Sequence, residues 1–545
     1  MSKVAYYLQE HLLGEVMTST DAKKYFSTDN SILSIQPLLI VYPRNENDIR
    51  KSARFTWQLA ERGKIIPITA RGSGTDQTGA AIGTGIIMVF SAHLHRILEF
   101  DPKSGLVKIE PGINFGKLQQ SLHTHGRFLP PAPSSAEYST VGGAVSNNSS
   151  GANLIKYGGL RNFVSKLRLV LANGEVIETG RLSAKELNKK LGLTTFEGEI
   201  YRNLDTLIEE EIEVIRQQDL VIDKNNAGYD LIDIKRRDGS FDLTPLIIGS
   251  QGTLGIVSQI DTLTEIHNPE TVLLVASCDS LEQLQNIVTE IKELSELASA
   301  IEVVDGNLLN EAASINPNVF KDIIEKPYPS FMIFIEYDIP SDRAMKKIIK
   351  KANKILDKHA SNIMIEYEKV DQEKLWKIRD VSSYIVSHNN GLSRSVPLIG
   401  NGSVPVKHLA EYIKGLYQIF EKSTISPAIW GHAGSGIIHV QPRLDVAQVG
   451  DRQKIFKLID EYVELVKSLD GTISSEGNDG RLMTPALSSF YSPELLELFK
   501  KVKDIFDPYK LLNPGVKFDT TTDDLKILLR NDYELSNLYN HLPRN

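Results

Sequence analysis

The sequence predicts an α+β protein of two main parts, and three observations support this prediction. With 545 residues, the chain is too long for one ordinary hydrophobic core. From residue 36 to about 266, short β-branched runs such as "KIIPITA" alternate with turns rich in glycine, serine and asparagine, which is typical of an α+β domain with much antiparallel strand. At about residue 267 the pattern changes to strands that alternate with long amphipathic helices, which predicts a second domain of α/β type.

The first domain is preceded by a helical segment, which we predict for residues 1–35. Within residues 36–266, the run "ANGEVIE" carries Asn173 and Gly174 between two apolar stretches, and this pair is a strong signal for a β-hairpin. Amphipathic stretches such as "FGKLQQSLHTHG" predict helices among the strands.

The second domain is predicted for residues 267–480. Its helices are indicated by "SLEQLQNIVTEIKELSELA" and "DRAMKKIIKKANKILDKH", and a strand by "SFMIFIEYDI". We expect residues 481–518 to return to the first domain. The acidic stretch 519–545 predicts a C-terminal tail that contains a docking helix.

Composition excludes several classes of protein. Hydrophobic residues make up 41% and charged residues 24% of the chain, and the net charge is −8, which disfavours broad nucleic-acid binding and a basic membrane-binding face. The single cysteine, Cys278, lies in an apolar run and predicts a buried strand residue in a reducing compartment. No signal-peptide pattern and no run of eighteen apolar residues occur, so we expect a cytoplasmic protein without a membrane span, with peripheral attachment to the inner face of the membrane as an alternative.

A glycine-rich loop follows the strand that ends at Arg71. Gly72, Gly74 and Gly79 would let backbone N–H groups approach an anion closely. The loop runs into a further strand, "GIIMVF", rather than opening a helix, so it is not a Rossmann fingerprint, and no Gly-Lys-Ser/Thr follows as a P-loop requires. Alone, the segment could equally be an ordinary turn.

A second segment, "PPAPSSAEYSTVGGAVSNNSSGANLIKYGG", has small residues at nearly every position from Ser139 to Ala152. Such a surface allows a flat, extended ligand to lie against the backbone. Two loops of this kind in one domain predict one long ligand that carries a pyrophosphate.

Two histidines and a glutamate, His432, His439 and Glu476, are candidate ligands for one metal ion. Their chain is bent at Gly434 and Gly436, and a bend is necessary because neither a straight helix nor a regular strand would bring histidines seven residues apart together. Two imidazoles and one carboxylate suit zinc, and iron or manganese are alternatives. A pair of interior histidines without a metal is the other interpretation.

These segments together resemble the FAD-binding domain of the vanillyl-alcohol oxidase superfamily (PCMH type), within it the branch of D-lactate, glycolate and D-2-hydroxyglutarate dehydrogenases. The similarity covers residues 36–518, where the family's blocks appear in order as "RGSGT", "TVGG", "NNSSG", "KNNAGYDL", "GSQGTLGI" and "LLNPGVKF". It implies a two-part PCMH-type FAD-binding domain with an α/β substrate-cap domain, and FAD bound non-covalently.

The resemblance also implies the cofactor site. The isoalloxazine ring is expected at the domain interface, near Ile256 and Asn513. The positions that match the family's FAD-binding motifs are Arg71, Gly72, Ser73, Gly74, Thr75, Gly79, Pro133, Ser139, Thr140, Gly142, Gly143, Asn147, Asn148, Ser150, Gly151, Gly255, Ile256 and Asn513.

The active site departs from the family at its centre. All three metal-ligand positions are kept, but the histidine that takes the hydroxyl proton in the family is Gly477 here, which leaves the catalytic base unassigned. A metal-bound oxygen, or a base from elsewhere, could replace it. The stretch "LWKIRDVSS" resembles the family's carboxylate-binding segment and implies substrate binding by Arg379 and Ser383, with Gln441 at a further substrate position.

The leading hypothesis is an FAD-dependent dehydrogenase or oxidase of a 2-hydroxy acid. A lysine that the D-2-hydroxyglutarate branch uses is Ile399 here and a common aspartate is Asn401, which favours a substrate with a single carboxylate. A quinone or an electron-transfer protein would reoxidise the flavin, and we expect a homodimer as an alternative to a monomer. Two other classes stay open: a flavin transferase similar to alkyl-glycerone-phosphate synthase, and an FAD-binding protein that has lost catalysis.

Overall fold

The computed structural model describes residues 3–387 and 394–531. Its eighteen α-helices in the described part are α1 (Lys3–His11), α2 (Thr20–Tyr25), α3 (Glu46–Ala60), α4 (Phe115–His123), α5 (Val141–Asn147), α6 (Leu154–Tyr157), α7 (Ala184–Leu191), α8 (Phe196–Glu210), α9 (Ile212–Ile215), α10 (Thr244–Ile247), α11 (Leu281–Lys292), α12 (Gly306–Ile315), α13 (Asp342–His359), α14 (Lys369–Ser387), α15 (Leu409–Lys422), α16 (Val449–Ser468), α17 (Pro493–Phe506) and α18 (Thr522–Leu528). Together with three main sheets, they confirm the predicted α+β class.

The first sheet contains β1 (Glu15–Met17), β2 (Leu39–Tyr42), β3 (Ile68–Arg71) and β4 (Ile86–Val89), in the order β1-β2-β4-β3. Strands β2, β4 and β3 are parallel, and only β1 is antiparallel to its neighbour. The crossover from β2 to β3 is helix α3, whose buried Ile49 and Ala53 join the core of this sheet. The sequence predicted antiparallel pairing and did not indicate this parallel core.

The second sheet is antiparallel, as predicted, with the order β5-β6-β10-β8-β9. The predicted hairpin joins β8 to β9 through Gly174, whose φ of 84° requires glycine. The strands are β5 (Ile97–Asp101), β6 (Leu106–Ile109), β8 (Val164–Val170), β9 (Val176–Glu178) and β10 (Ile256–Thr262), and a small ribbon pairs β7 (Arg127–Phe128) with β11 (Glu265–Ile266).

The third sheet belongs to the cap and has six strands in the order β15-β12-β14-β13-β17-β18. They are β12 (Val272–Cys278), β13 (Ala300–Asp305), β14 (Phe331–Tyr337), β15 (Asn362–Glu366), β17 (Ile429–His432) and β18 (Ile437–Val440); β16 (Arg394–Ser395) and β19 (Arg443–Leu444) form a separate pair. Helices cover both faces. Leu274 and Ala276 of β12 pack in one core with α11 and α13, whereas Leu273 and Val275 pack in another with α12 and α14. Cys278 is buried in β12, as predicted.

The chain returns to the second sheet after the cap. In α17, Leu495, Leu498 and Phe499 are buried in the core that β8 and β10 share with α8. The acidic tail forms α18 as far as it is described; residues 532–545 of the predicted tail lie outside the described residues. No helix in the described ranges is long and apolar enough to cross a membrane.

Candidate active site

The glycine-rich loop connects β3 to β4 and contacts the second small-residue segment. A side chain at Gly72 would overlap the Thr140 hydroxyl, so the two loops meet where only glycine fits. Arg71 is buried and its Nη1 donates to the carbonyl oxygens of Thr28 and Ala81, while its Nε finds no acceptor in the described part of the chain. The backbone N–H groups of Gly72, Ser73, Gly74 and Thr75 likewise find no protein acceptor among the described residues.

The second segment begins with the Thr140 cap of α5, whose side chain accepts a hydrogen bond from Gly143 N. Helix α5 ends at Asn148 in the left-handed region. Gly142 packs against Pro111, and Gly151, with φ 73°, lies against the backbone at Ala132 and Pro133. The Ser139 hydroxyl is buried without a partner in the described chain.

These residues fit a cofactor that carries a diphosphate. Unpaired backbone N–H groups in the glycine loop, the unsatisfied Ser139 hydroxyl and the unsatisfied Arg71 Nε are donors that anionic oxygens would satisfy. Buried donors without partners are rare in folded proteins, which makes a ligand the simplest explanation.

The remaining predicted cofactor residues lie around this region in different roles. Asn513 donates to the carbonyl oxygens of Ala80 and Gln251, both at 2.8 Å, and so fixes the end of the glycine loop. Asn147 accepts a hydrogen bond from the Gln251 side chain. Ile256 at the start of β10 is buried in the core of the first sheet, and Gly255 just before it packs against Leu169, so both positions are interior. The predicted ring position stays a prediction.

The cap meets the small-residue segment at Glu476. Its carboxylate accepts hydrogen bonds from the Ser150 hydroxyl (2.7 Å) and from Gly151 N (3.2 Å). The buried Lys224 in turn donates to the Ser150 hydroxyl at 2.8 Å. Burial alone would raise the pKa of Glu476, but His432, Lys224 and the Ser150 hydrogen bond outweigh it and lower that pKa to about 2. Glu476 is therefore an anion that links the cap to the cofactor segment.

A buried carboxylate, Glu302 on β13, holds two predicted site residues side by side. Its Oε1 lies 2.6 Å from His432 Nδ1, and its Oε2 accepts from Arg379 Nε at 2.8 Å. Arg379 Nη1 donates to Ser382, whereas its Nη2 has no hydrogen bond within the described chain. Burial opposes ionisation of Glu302, but His432 and Arg379 outweigh it and hold the pKa of Glu302 below its usual value.

The three predicted metal ligands lie together. The rings of His432 on β17 and His439 on the paired strand β18 lie edge to face, with centroids 5.3 Å apart. His432 Nε2 is 4.0 Å from Glu476 Oε2. Across residues 3–387 and 394–531, however, no group of three or more His, Cys, Asp or Glu side chains is arranged to hold a metal ion. The structure therefore does not support the predicted divalent metal.

The pKa values of His432 and His439 are shifted in opposite directions. Burial would lower the pKa of His432, but the Glu302 carboxylate raises it above its ordinary value. Burial, followed by the neighbouring His432, lowers the pKa of His439 to about 4, so His439 is the neutral imidazole of the pair at neutral pH.

Two predicted substrate residues occupy different environments. Ser383 is exposed and its hydroxyl donates to the Asp380 carbonyl of its own helix, so the structure does not place it beside Arg379; the adjacent Ser382 takes that place. Successive residues of an α-helix point about 100° apart, so one of two adjacent serines can face inward while the other faces solvent. Gln441 directly follows β18, the strand that contains His439, and its side-chain oxygen accepts a hydrogen bond from the Ser395 hydroxyl.

The resemblance implies a catalytic histidine at position 477, and the space beside Gly477 is occupied by Asn401 from another loop. A side-chain carbon at Gly477 would lie only 2.7 Å from Asn401 Cγ. The backbone oxygen of Asn401 also accepts from Ser475 N and Glu476 N, which ties the two loops together. Any side chain at position 477 therefore requires Asn401 to move.

The sequence did not single out Glu302, Lys224 or Ser382. Glu302 had a usable signal, because it is the one acid inside the apolar run "AIEVV", and a charge in a buried strand needs a partner. Lys224 begins the block "KNNAGYDL", which carried the family resemblance without a role.

Comparison with known proteins gives matches in both domains. Residues 37–180 match the family described as FAD binding domain, and residues 267–516 match FAD linked oxidases, C-terminal domain. D-2-hydroxyglutarate dehydrogenase of Escherichia coli (strain K12) is 27% identical over 523 residues, which cover 93% of this chain and 50% of that protein. The chain thus spans about half the length of the D-2-hydroxyglutarate dehydrogenases it matches.

Two further proteins resemble nearly the whole chain. Glycolate oxidase subunit GlcD of Bacillus subtilis (strain 168) is 27% identical over 516 residues, which cover 93% of this chain and 92% of that protein. The structure of p-cresol methylhydroxylase superposes with a TM-score of 0.70 at 13% identity, over 94% of this chain and 96% of that one, and shows a shared fold. The chain therefore carries an FAD binding domain and a C-terminal domain of the FAD linked oxidases, and it has the two-domain PCMH-type FAD-binding fold.

Proposed function

We propose that the protein is an FAD-dependent oxidoreductase that oxidises a 2-hydroxy acid with a single carboxylate, of the D-lactate or glycolate type, to the 2-oxo acid. The observation that carries the proposal is the contact of Glu476 with Ser150 and Gly151. This contact joins the part of the cap that carries Arg379, His432 and His439 to the small-residue segment that fits the cofactor. The names of the similar dehydrogenases and of the glycolate oxidase subunit support the same chemistry.

Arg379 would bind the substrate carboxylate. Glu302 occupies its Nε and Ser382 its Nη1, which fixes the guanidinium and leaves Nη2 to the substrate. Ile399, where the dicarboxylate branch has a lysine, is buried and apolar and pairs with Val440. Arg379 is the single cation that this proposal places at a substrate carboxylate, and one such anchor favours a substrate with one carboxylate.

Bound FAD supplies the acceptor for the hydride from C2 of the substrate, and the hydroxyl proton needs a second acceptor. Gly477 has no side chain for this role. His439 is the uncharged imidazole beside His432, and we assign it as the proton acceptor in the metal-free site. The electron acceptor, a quinone or an electron-transfer protein, and the cytoplasmic location belong to the same proposal and rest on the sequence.

The test is anaerobic mixing of the FAD-loaded protein with glycolate, D-lactate, L-lactate and D-2-hydroxyglutarate, with flavin absorbance as the readout. We expect a monocarboxylate to bleach the flavin. Arg379→Met should weaken the apparent affinity for that acid by about 10- to 100-fold, because it removes a charge-assisted hydrogen bond. Bound FAD that none of the acids reduces would reject the proposal.

That negative result would favour a flavoprotein without catalysis, for which the overlap between position 477 and Asn401 is the specific support. The transferase alternative is less consistent with the chain, because the histidine cluster expected near "GTISSEG" is absent from the sequence.

A divalent ion on His432, His439 and Glu476 remains a separate prediction, and an ion bound to the free nitrogen of His439 would exclude His439 as the proton acceptor. The donor types suit zinc, iron or manganese, and Glu302 on the far nitrogen of His432 is the usual outer partner of a ligating histidine. If an ion binds, metal analysis of purified protein should find it in the wild type and much less in His432→Ala. Equal metal content in the two proteins would remove the assignment.

A further inference from the structure

The last described residues form a strap across the N-terminal part of the chain. We define the C-terminal strap as Thr521–Arg530; it contains α18, whose N-terminus is closed by a reciprocal capping box between Thr521 and Asp524. Its end pairs with residues 28–34: Leu33 and Leu529 form a β-bridge, Ser34 N donates to Leu528 O, and Arg530 N donates to Ile32 O, both at 2.9 Å.

Arg530 anchors this strap. Its side chain is 5% exposed although it is charged, and its Nη1 lies 3.3 Å from the carbonyl oxygens of Asp29 and of Ser31. Burying a guanidinium is costly unless its donors are satisfied. The turn at residues 29–31 is therefore shaped around this arginine.

The same segment, residues 28–34, also contacts the glycine loop. Asn30 N donates to Gly74 O at 2.9 Å, Arg71 Nη1 donates to Thr28 O at 2.8 Å, and the Asp29 carboxylate accepts from Ala81 N at 3.2 Å. These contacts use the Gly74 carbonyl oxygen, the Arg71 side chain and the Ala81 N–H, and none of them uses the N–H groups of Gly72–Thr75. They fix the loop conformation while leaving those donors available.

We propose that the C-terminal strap is a positioning element for FAD, in which Arg530 locks the 28–34 segment against the glycine loop and so preorganises the loop for the diphosphate. A loop held in its binding conformation loses less entropy when the ligand binds. The inference rests on FAD binding by this loop and is independent of which acid is oxidised.

The test compares Arg530→Met with Lys526→Met, in which the replaced residue is an exposed lysine of the same strap that pairs with the exposed Asp523. FAD is removed, and the dissociation constant for FAD is measured by quenching of its fluorescence; the melting temperature of each apoprotein is measured in parallel. We expect affinity about tenfold weaker in Arg530→Met and unchanged in Lys526→Met.

A merely structural strap would lower the melting temperature of Arg530→Met apoprotein and leave its FAD affinity within twofold of wild type, which would overturn the proposal. Arg530→Lys keeps the charge but loses the planar guanidinium that reaches both carbonyl oxygens, and we expect an intermediate affinity. If Arg530→Met does not fold, wild-type affinity in folded Arg530→Lys overturns the proposal. None of these measurements involves a hydroxy acid, so a failure here is distinguishable from a failure of the proposed reaction.

Discussion

Glu302→Ala is expected to lower the free energy of unfolding by about 3–5 kcal/mol, because it leaves the buried Arg379 guanidinium without its carboxylate. Glu302 is 1% exposed and contacts both Arg379 and His432. Urea unfolding followed by circular dichroism measures the loss.

The matched control is Glu290→Ala. Glu290 also contacts one cation and one histidine, Lys358 and His359, but on the surface, where such pairs contribute less than about 1 kcal/mol. Equal losses in the Glu290 and Glu302 variants would show that burial of the Glu302 cluster does not matter.

A conservative variant separates the functional role of Glu302 from its structural one. Glu302→Gln keeps the shape and one acceptor, so Arg379 should stay near its place while losing its charged partner. We expect the folded, FAD-loaded variant to bind the hydroxy acid more weakly, by about tenfold, with FAD affinity unchanged. Unchanged affinity for the acid would exclude Glu302 as the residue that positions Arg379.

Lys517→Met should have a similarly large effect on stability, about 3–5 kcal/mol. Lys517 and Asp479 form an ion pair in which neither side chain is exposed, and Lys517 also donates to the Gly228 carbonyl and to Asn478 Oδ1. Its removal leaves the Asp479 carboxylate buried without its cation. Because Asp479 follows the Glu476–Asn478 loop, the same variant should also disorder the contact of Glu476 with Ser150.

Lys510→Met is the control for this prediction. Lys510 lies seven residues earlier and pairs with Asp519 at 3.1 Å, with both side chains more than half exposed. We expect a change in unfolding free energy of less than about 1 kcal/mol. A Lys517→Met protein as stable as Lys510→Met would contradict the structural role of the buried pair.

The fold was largely predictable where local signals decide it. Asn173–Gly174 specified its hairpin because only certain residues accept that turn. The helices of the cap followed their apolar period. The parallel pairing of β2, β3 and β4 was not predicted, since parallel pairing depends on a crossover, and short apolar runs do not reveal which strands become neighbours.

The site was predictable as far as motifs reach. The two glycine-rich segments do contact each other, His432 lies 4.0 Å from Glu476, and the ring of His439 lies against that of His432. The structure places Ser382, and not the predicted Ser383, against Arg379, because sequence matching does not fix which side of α14 faces inward. Glu302 was missed because its partners come from α14 and β17, distant in the chain, and only the tertiary structure brings them together.

The central claim is that the glycine loop and the small-residue segment hold FAD and so provide the electron acceptor of the site. The most direct measurement is titration of the purified, flavin-free protein with FAD, followed by fluorescence and by the visible spectrum of the washed complex. We predict a yellow protein that retains one FAD per chain. We also predict that Gly72→Val lowers the affinity for FAD, because the new side chain overlaps the second loop where the two loops meet. A colourless protein that takes up no flavin under native conditions would contradict the account.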